Sequence, residues 1–412
     1  MQPKIYPVDE HKIAPDKIDT HAFYVIQKLR QAGHKAYLVG GGVRDLLLGA
    51  CPKDFDVSTS AKPEEIKALF RNAILIGRRF RLAHIRFGKK VIEVSTFRSG
   101  ATEEAGLIVR DNEWGSEEQD VLRRDFTING LFYDPESQKV IDYVDGYPDL
   151  EKKILRTIGK PDIRFTQDPV RMIRLIKFCA RFNFEIHHPT FEALLSCKGE
   201  ILKSSQARIF EELLRMLESG SSKAFFHLLN EYGLLKALSQ PMAVYLDRPN
   251  NVSLQLLSAI DDEVRKNVPL DRSFLLAALI FPLFQENVME RSKRETLHLG
   301  QIAEMAHRTI DQVFHPFFNI PRRMRGIMGF IMTAQFRLVP LDGKVRKPRP
   351  PRDPFFPHAL HLLKLRASID PTLLPHYTLW TEASFDAHEL AELPPKRRRR
   401  KRRRRRGNEE PV

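Results

Sequence analysis

Two aspartates separated by one residue, Asp54 and Asp56, are the side chains in this sequence best suited to catalysis. In an extended strand, residues i and i+2 point to the same face, so both carboxylates would project together. Paired carboxylates form a hard, oxygen-rich site that suits magnesium. The pair therefore predicts a binding site for a divalent cation.

A third acid, Glu93, lies among apolar neighbours in the segment VIEVSTF. A lone carboxylate on such a strand is costly unless a cation meets it. If this strand lies beside the one that carries Asp56, three carboxylates could hold two metal ions roughly 3.5–4 Å apart. The alternative is an acid on an exposed face of the strand.

A glycine-rich turn precedes the aspartates. Residues 37–39 predict a buried strand that runs into Gly40, Gly41 and Gly42, and the residues around Arg44 predict a helix. The backbone amides of such a turn can bind a triphosphate. The spacing of the glycines does not match the GxGxxG pattern of dinucleotide-binding proteins, which makes that class a weaker interpretation.

Further polar residues follow in VLRRDFTINGLFYDP, where Arg124, Asp125 and Asn129 lie among apolar residues. Arginine and asparagine in such a setting suit contacts with ribose and phosphate. A buried ion pair between Arg124 and Asp125 is the structural alternative.

Three further arginines lie in the segment IGRRFRLAH, just before a predicted strand. They could neutralise a triphosphate or RNA phosphates. The alternative is that they form a solvated edge. These residues are Arg78, Arg79 and Arg81.

Asp168 and Arg171 lie three residues apart at the predicted start of a helix, and would therefore share one face. An acid beside a fork-shaped donor could hydrogen-bond the edge of a base and so select a nucleotide without a template. Taken alone, such a pair is more often a helix cap with a surface salt bridge.

Length and composition bound the architecture. A chain of 412 residues predicts two to four domains. It has no apolar run of eighteen residues and no order of residues typical of a signal peptide, and its three cysteines form no CxxC pair. We expect a cytoplasmic protein without a membrane partner.

The net charge of +15 is unevenly distributed. Residues 396–406, KRRRRKRRRRR, are eleven consecutive cations, so the rest of the chain carries 15 − 11 = +4. Like charges at this density repel one another, so we expect a disordered tail that binds polyanions such as nucleic acid by counterion release. The alternative is a solvated terminus that aids solubility.

The pattern of apolar residues predicts an α/β unit with a small mixed sheet, followed by a helical second half that includes helices at 270–284 and 287–315. We divide the chain into five parts: a flexible lead (1–20), a catalytic head (21–155), a helical neck (156–240), a helical body (241–380) and a disordered Arg-rich tail (381–412).

Six segments occur in an order that resembles the nucleotidyltransferase superfamily, in the branch of bacterial poly(A) polymerases and class II CCA-adding enzymes. They are GGGVRDLLLG (40–49), DFD (54–56), IGRRFRLAHIRFG (76–88), IEVSTFR (92–98), RRDFTING (123–130) and QDPVRMIRLIKF (167–178). The resemblance implies an α/β nucleotidyltransferase head with all-helical neck and body domains.

The resemblance also implies roles for the residues above. Asp54, Asp56 and Glu93 match the catalytic metal-binding acids, which implies two Mg²⁺ ions, and Gly41, Gly42 and Arg44 match the triphosphate-binding turn. The other two groups match the sugar and phosphate motif (Arg124, Asp125, Asn129) and the base-recognition motif EDxxR (Asp168, Arg171). Gln167 replaces the glutamate of that last motif, which puts the network that fixes base choice in doubt.

The implied reaction is the addition of AMP from ATP to RNA 3′ ends, with the RNA-degradation machinery as a candidate partner. The alternative within the branch is addition of CCA to tRNA. A non-catalytic RNA-binding adaptor on the same fold is a third hypothesis, which the intact DFD disfavours.

Overall fold

The computed structural model describes residues 2–77, 82–99, 113–249, 251–344, 348–349 and 351–392, the last nine of these as backbone. Its first part is built on one mixed sheet, with the strand order β1-β8-β7-β2-β3-β6-β5-β4. The strands are Lys4–Tyr6 (β1), Ala36–Val39 (β2), Asp56–Thr59 (β3), Ala73–Ile76 (β4), Leu82–Phe87 (β5), Lys90–Thr96 (β6), Leu131–Asp134 (β7) and Lys139–Asp142 (β8). The predicted mixed sheet is confirmed.

Alternation of apolar and polar residues decides which face of this sheet is covered. Val57, Ile92 and Val94 are buried in a core that includes residues of the second helix, whereas Asp56 and Glu93 point the other way. The helices of this part are Val8–His11 (α1), Thr20–Gln31 (α2), Gly41–Leu47 (α3), Pro63–Leu69 (α4), Glu117–Leu122 (α5) and Gly146–Glu151 (α6). On β3 and β6 the opposite face thus carries polar side chains, whereas on β2 and β7 it carries Val39 and Phe132, which belong to a second, smaller apolar core.

The expectation of a flexible lead at residues 1–20 is wrong for its first residues. Strand β1 pairs antiparallel with β8 at the sheet edge, where Lys4 lies opposite Asp142. The side chain of Lys4 also contacts Asp145. An unpaired edge strand offers free backbone hydrogen-bonding groups, and the short apolar segment around Ile5 satisfies them.

The rest of the chain is largely helical, as predicted. Its helices are Pro161–Gln167 (α7), Val170–Phe182 (α8), His188–Cys197 (α9), Gln206–Leu217 (α10), Ser222–Glu231 (α11), Leu234–Leu238 (α12), Gln240–Leu246 (α13), Val252–Arg265 (α14), Arg272–Ser292 (α15), Leu299–Phe314 (α16), Arg322–Leu338 (α17), Phe356–Ile369 (α18) and Leu374–Glu392 (α19). Strand Glu185–Ile186 (β10), which pairs parallel with Ile154–Leu155 (β9), is an exception to the all-helical expectation.

The boundary expected between residues 284 and 287 is wrong. Helix α15 continues through Pro282 to Ser292, and α16 begins only at Leu299. Proline removes one intrahelical hydrogen bond. The residues around Pro282 are buried in the large helical core, so tertiary packing outweighs this local cost.

Among the described residues, none of the helices combines the length and apolar character needed to cross a membrane. The three arginines Arg78, Arg79 and Arg81 and the basic run at 396–406 lie outside the described residues.

Candidate active site

A cavity of about 870 Å³ lies where the sheet part of the chain meets helices α7, α8 and α10. It brings together residues that the sequence predicted in four separate groups. Those at its wall are Gly41, Arg44, Asp56, Arg124, Asp125, Asn129, Asp168 and Arg171. One concave site therefore joins Asp56, the glycine turn and the proposed base-reading residues, whereas Asp54, Gly42 and Glu93 are not part of its lining.

The lining of this cavity is strongly cationic. It includes ten basic residues and three acids, a formal excess of 10 − 3 = +7. The basic residues are Arg44, Arg98, Arg123, Arg124, Arg164, Arg171, Arg174, Lys177, Arg181 and Arg208. A concave surface with this charge attracts a polyanion and would hold it in place.

Asp56 is the first residue of β3, and it lies directly opposite Glu93 in the parallel pairing of β3 with β6. Asp54 precedes the strand, and Phe55 between the two aspartates is buried. Burial raises the pKa of Asp56 to about 6, and the charge of Glu93 and then that of Asp54 act in the same direction, while Arg124 opposes them. Asp56 is therefore close enough to Glu93 and to Asp54 to be repelled by both.

The donor chemistry of these three acids fits a hard divalent cation such as magnesium. Glu93, however, is half exposed and lies 3.3 Å from Nε2 of His84, its direct partner on β5. Among the residues that the structure describes, no three His, Cys, Asp or Glu side chains already converge as a metal-binding group. Asp56 and Glu93 thus share one face of the sheet. Asp54 precedes β3, so the expectation that it projects with Asp56 from one strand is wrong, and the three acids do not form a closed ligand set.

The glycine turn is held close to two other site elements. Gly40 has φ 67° and ψ −129°, a backbone conformation that favours glycine, and a Cβ added there would lie 3.1 Å from Nη1 of Arg124. A Cβ on Gly42 would lie 3.4 Å from the carbonyl oxygen of Asp54. The turn therefore packs against both the aspartate segment and the arginine.

Arg44 links the glycine turn to helix α8. Its guanidinium donates to Oδ1 of Asp45 at 2.7 and 2.9 Å and to Oδ1 of Asn129 at 2.6 Å. The same group lies over the rings of Phe178 and Phe182, 5.0 and 4.7 Å from their centroids. The side chain is buried, so these contacts fix its position.

Arg124 and Asp125 do not pair with each other, so the proposed ion pair between them is wrong. Arg124 donates to Asp120 at 2.8 Å, whereas Oδ2 of Asp125 accepts from Arg174 of α8 at 2.7 Å. Asn129 donates to the other oxygen of Asp125 at 3.0 Å. Burial would raise the pKa of Asp125, but the Arg174 charge and these hydrogen bonds lower it to about 2.

Asp168 and Arg171 both line the cavity, but they do not share a helix face. Asp168 follows the last residue of α7, and α8 begins only at Val170. The carboxylate accepts two hydrogen bonds of 2.9 Å from Arg208 of α10. Arg171 donates to the carbonyl oxygens of Arg164 and Arg123, at 3.3 and 3.2 Å.

Several residues of the cavity were not predicted from the sequence. Arg174, Lys177 and Arg181 follow Arg171 on α8 at spacings of three, three and four, which places them on one face of that helix. This period in RMIRLIKFCAR could have identified them. Arg208 lies forty residues after Asp168, and nothing in the local sequence connects the two.

Comparison with known families supports this description of the chain. Residues 36–156 match the Poly A polymerase head domain, and residues 183–245 match the probable RNA and SrmB-binding site of polymerase A. The first match covers strands β2 to β8 of the sheet, the aspartates and the glycine turn. The second covers helices α9 to α12 and most of α13.

Three similar proteins illustrate the range of relatives. The poly(A) polymerase I of Salmonella typhimurium is 36% identical over 383 residues, which is 89% of this chain and 82% of the relative. The CCA-adding enzyme of Streptococcus suis is 38% identical over 200 residues, 48% of this chain and 49% of the relative. The structure of the Bacillus stearothermophilus CCA-adding enzyme in complex with CTP has a TM-score of 0.63 at 25% identity, covering 88% of this chain and 80% of that chain.

Proposed function

This chain belongs to the family of bacterial poly(A) polymerases and CCA-adding nucleotidyltransferases, and we propose that it extends RNA 3′ ends with AMP taken from ATP. The observation that carries the proposal is that one cationic cavity joins Asp56 and the glycine turn to Asp168 and Arg171. A template-independent polymerase needs three parts within the length of one nucleotide: a reactive centre, a phosphate-binding site and a group that recognises the base.

In the proposed reaction, the RNA 3′-hydroxyl attacks the α-phosphorus of ATP and pyrophosphate leaves. Asp54, Asp56 and Glu93 would hold magnesium, which when bound supplies activation of the hydroxyl and neutralisation of the leaving group. The role of these acids is to gather their negative charge on one face of the sheet. The rest of the chain positions the two substrates.

The phosphates of ATP would lie against the glycine turn and the arginines of the cavity. Gly40 and Gly41 lack side chains, so the backbone can approach the triphosphate closely. Arg44 is held in place by Asp45 and Asn129 and stacks on two rings, which leaves it pre-organised as a fixed positive charge. Asn129 is in turn oriented by Asp125 and Arg174, and we assign this group to contacts with the sugar and phosphates.

Base choice would depend on Asp168 and Arg171. An ionised carboxylate only accepts hydrogen bonds and a guanidinium only donates them. Side by side, they match adenine or cytosine, each of which has an amino group next to a ring nitrogen acceptor. They do not match guanine or uracil, which present a carbonyl oxygen and an N–H at the corresponding positions.

The choice between adenine and cytosine rests on the relatives. The relative named poly(A) polymerase I matches most of this chain, whereas the CCA-adding relative with the higher identity matches about half. We therefore propose ATP as the substrate. Both ATP and RNA ends occur in the cytoplasm, where we expect the protein to act.

A single-nucleotide extension assay tests the proposal. Purified protein is incubated with Mg²⁺, one of the four nucleoside triphosphates at a time, and either a labelled generic RNA or a labelled tRNA that lacks its CCA end. We expect long products with ATP alone. Incorporation of CTP that stops after two residues at tRNA ends would overturn the proposal in favour of a CCA-adding enzyme, for which the likeness to a CTP-bound structure is the supporting observation.

A further inference from the structure

The orientation of Asp168 is not fixed by its own helix. The residue follows the end of α7 with φ −146° and ψ 87°, and Pro169 comes directly after it. A carboxylate on such a turn has several rotamers open to it. Its direction in the cavity must therefore come from a partner elsewhere in the fold.

That partner is Arg208. Its Nη1 and Nη2 donate to Oδ1 and Oδ2 of Asp168, each at 2.9 Å, in a fork-to-fork arrangement. Paired bonds of this kind fix the plane of the carboxylate as well as its distance. Arg208 comes from the first turn of α10 and lines the same cavity.

The neighbouring residue Gln167 offers no acidic alternative. It is buried, and its Oε1 accepts from Nη1 of Arg164 at 3.3 Å. An amide carries no charge, so Gln167 cannot hold Arg171 through an ion pair or compete with Asp168 for Arg208. The donor and the acceptor that face the base therefore have different hydrogen-bond partners, backbone carbonyls for Arg171 and Arg208 for Asp168, although the charge of Asp168 also attracts Arg171.

We propose that Arg208 is a positioning residue that sets base selectivity by holding Asp168 as a fixed hydrogen-bond acceptor. The proposal rests on the proposed function. A carboxylate has about four acceptor positions. Arg208 uses two of them, and the others remain open to the amino group of adenine.

The selectivity arises because a fixed acceptor disfavours the binding of guanine and uracil. A carbonyl oxygen of guanine or uracil that faces Asp168 leaves two acceptors opposed and unpaired, which is costly in a cavity. If Arg208 is lost, Asp168 can turn away from such a base and the penalty falls. The preference for ATP over GTP should fall with it.

Three substitutions test this proposal. Arg208→Gln removes the charged fork, and Arg208→Lys keeps the charge but cannot bind both oxygens in the plane of the carboxylate. Arg215→Gln is the matched control, because Arg215 lies on the same helix, pairs with Glu211 and has a side chain 56% exposed, against 57% for Arg208. It does not belong to the lining of the cavity.

The measurements are kcat/KM for ATP and GTP on one RNA, and the equilibrium binding of ATP and of GTP in calorimetry without RNA. We expect the ATP to GTP ratio to fall about tenfold in Arg208→Gln, as for one lost hydrogen bond. It should fall less in Arg208→Lys and stay within about twofold of wild type in Arg215→Gln.

Two results would overturn the proposal: an unchanged ratio in Arg208→Gln, or equal losses in Arg208→Gln and Arg215→Gln. Failure of the proposed function looks different, because the wild-type protein would then add no AMP to RNA. The ratio of the ATP and GTP affinities measured by calorimetry would still test the role of Arg208 in that case.

Discussion

Asp56 and Glu93 lie directly opposite each other in the one pair of strands that run parallel among the described strands of the eight-stranded sheet. Parallel pairing in this register brings a carboxylate from each strand to the same level on the same face. With Asp54 nearby, the result is a crowding of negative charge that costs stability in the protein alone. Residues that repel one another in a fold are candidates for holding a cation.

Replacing Asp54 or Asp56 by Asn should abolish nucleotide addition and leave the fold intact. The loss of kcat should be at least about 1,000-fold, because metal-assisted catalysis contributes several kcal/mol. The thermal midpoint should not fall, since each change removes one of the crowded charges. RNA affinity, measured without nucleotide, should stay within about twofold.

Glu192→Gln is the control, because this acid is exposed and pairs with His188 one helical turn away. It should retain full activity. An Asp54 or Asp56 variant that extends RNA at the wild-type rate would show that catalysis occurs elsewhere.

Gly40→Ala should weaken ATP binding as well as the fold. A left-handed backbone costs alanine roughly 1–2 kcal/mol. The new Cβ would also lie 3.1 Å from Nη1 of Arg124 and displace this cavity arginine. We expect KM for ATP to rise about fivefold or more, as for loss of one charged contact.

Gly49→Ala separates the loss of stability from the loss of ATP binding. Gly49 has a similar φ of 74°, but no described atom lies within 4 Å of its added Cβ. It should lose stability by a similar amount with an unchanged KM. Equal KM values in the two variants would mean that the turn does not contact the triphosphate.

The sequence predicted best what depends on local periodicity. The two-residue repeat of a strand accounts for Asp56 and Glu93, which the structure places side by side, as expected if β6 lies beside β3. The repeat does not extend to Asp54, because β3 begins only at Asp56. The prediction from sequence failed for Asp168, because the prolines at 161 and 169 each begin a separate segment and leave this residue on the turn between them.

Long-range pairs could not be predicted at all. Arg44 meets Asn129 across 85 positions and Arg208 meets Asp168 across 40, and only the tertiary packing of separate elements brings each pair together. The uncharged Gln167 could be read from the sequence, but its partner Arg164 could not be assigned without the fold.

Arg174→Gln should destabilise the protein by about 3 kcal/mol at neutral pH, because it leaves Asp125 charged, buried and without its main partner. Arg308→Gln is the control, since this exposed arginine pairs with Glu304 on the surface and should cost less than about 1 kcal/mol. Urea unfolding of both variants gives the comparison.

The pH dependence of this effect has a definite sign. The folded pKa of Asp125 is about 2, below the value of about 3.9 for an unfolded chain. Its ion pair therefore stabilises the wild type fully above pH 4, and this contribution is lost as the pH falls towards 2. The difference between wild type and Arg174→Gln should narrow below about pH 4, where Asp125 can protonate. A constant difference from pH 7 to pH 3 would contradict the role of Asp125.

Deleting residues 396–412 should weaken RNA binding and flatten its dependence on salt. The segment contains eleven consecutive cations. For single strands, log K falls with log[salt] at about 0.7 per phosphate neutralised. If half of these cations contact RNA, the slope should therefore decrease by about 4.

The matched control replaces residues 396–406 by a Gly/Ser segment of equal length, which keeps the chain length and removes the charge. Both variants should bind RNA alike and keep the wild-type preference for ATP over GTP, because we propose that the base is read by Asp168 and Arg171, which line the cavity. The RNA-binding constants of both variants and the wild type, measured from 50 to 300 mM salt, test this prediction. An unchanged slope in both variants would assign RNA binding to the rest of the chain, whereas a changed nucleotide preference would mean that the tail acts on the active site.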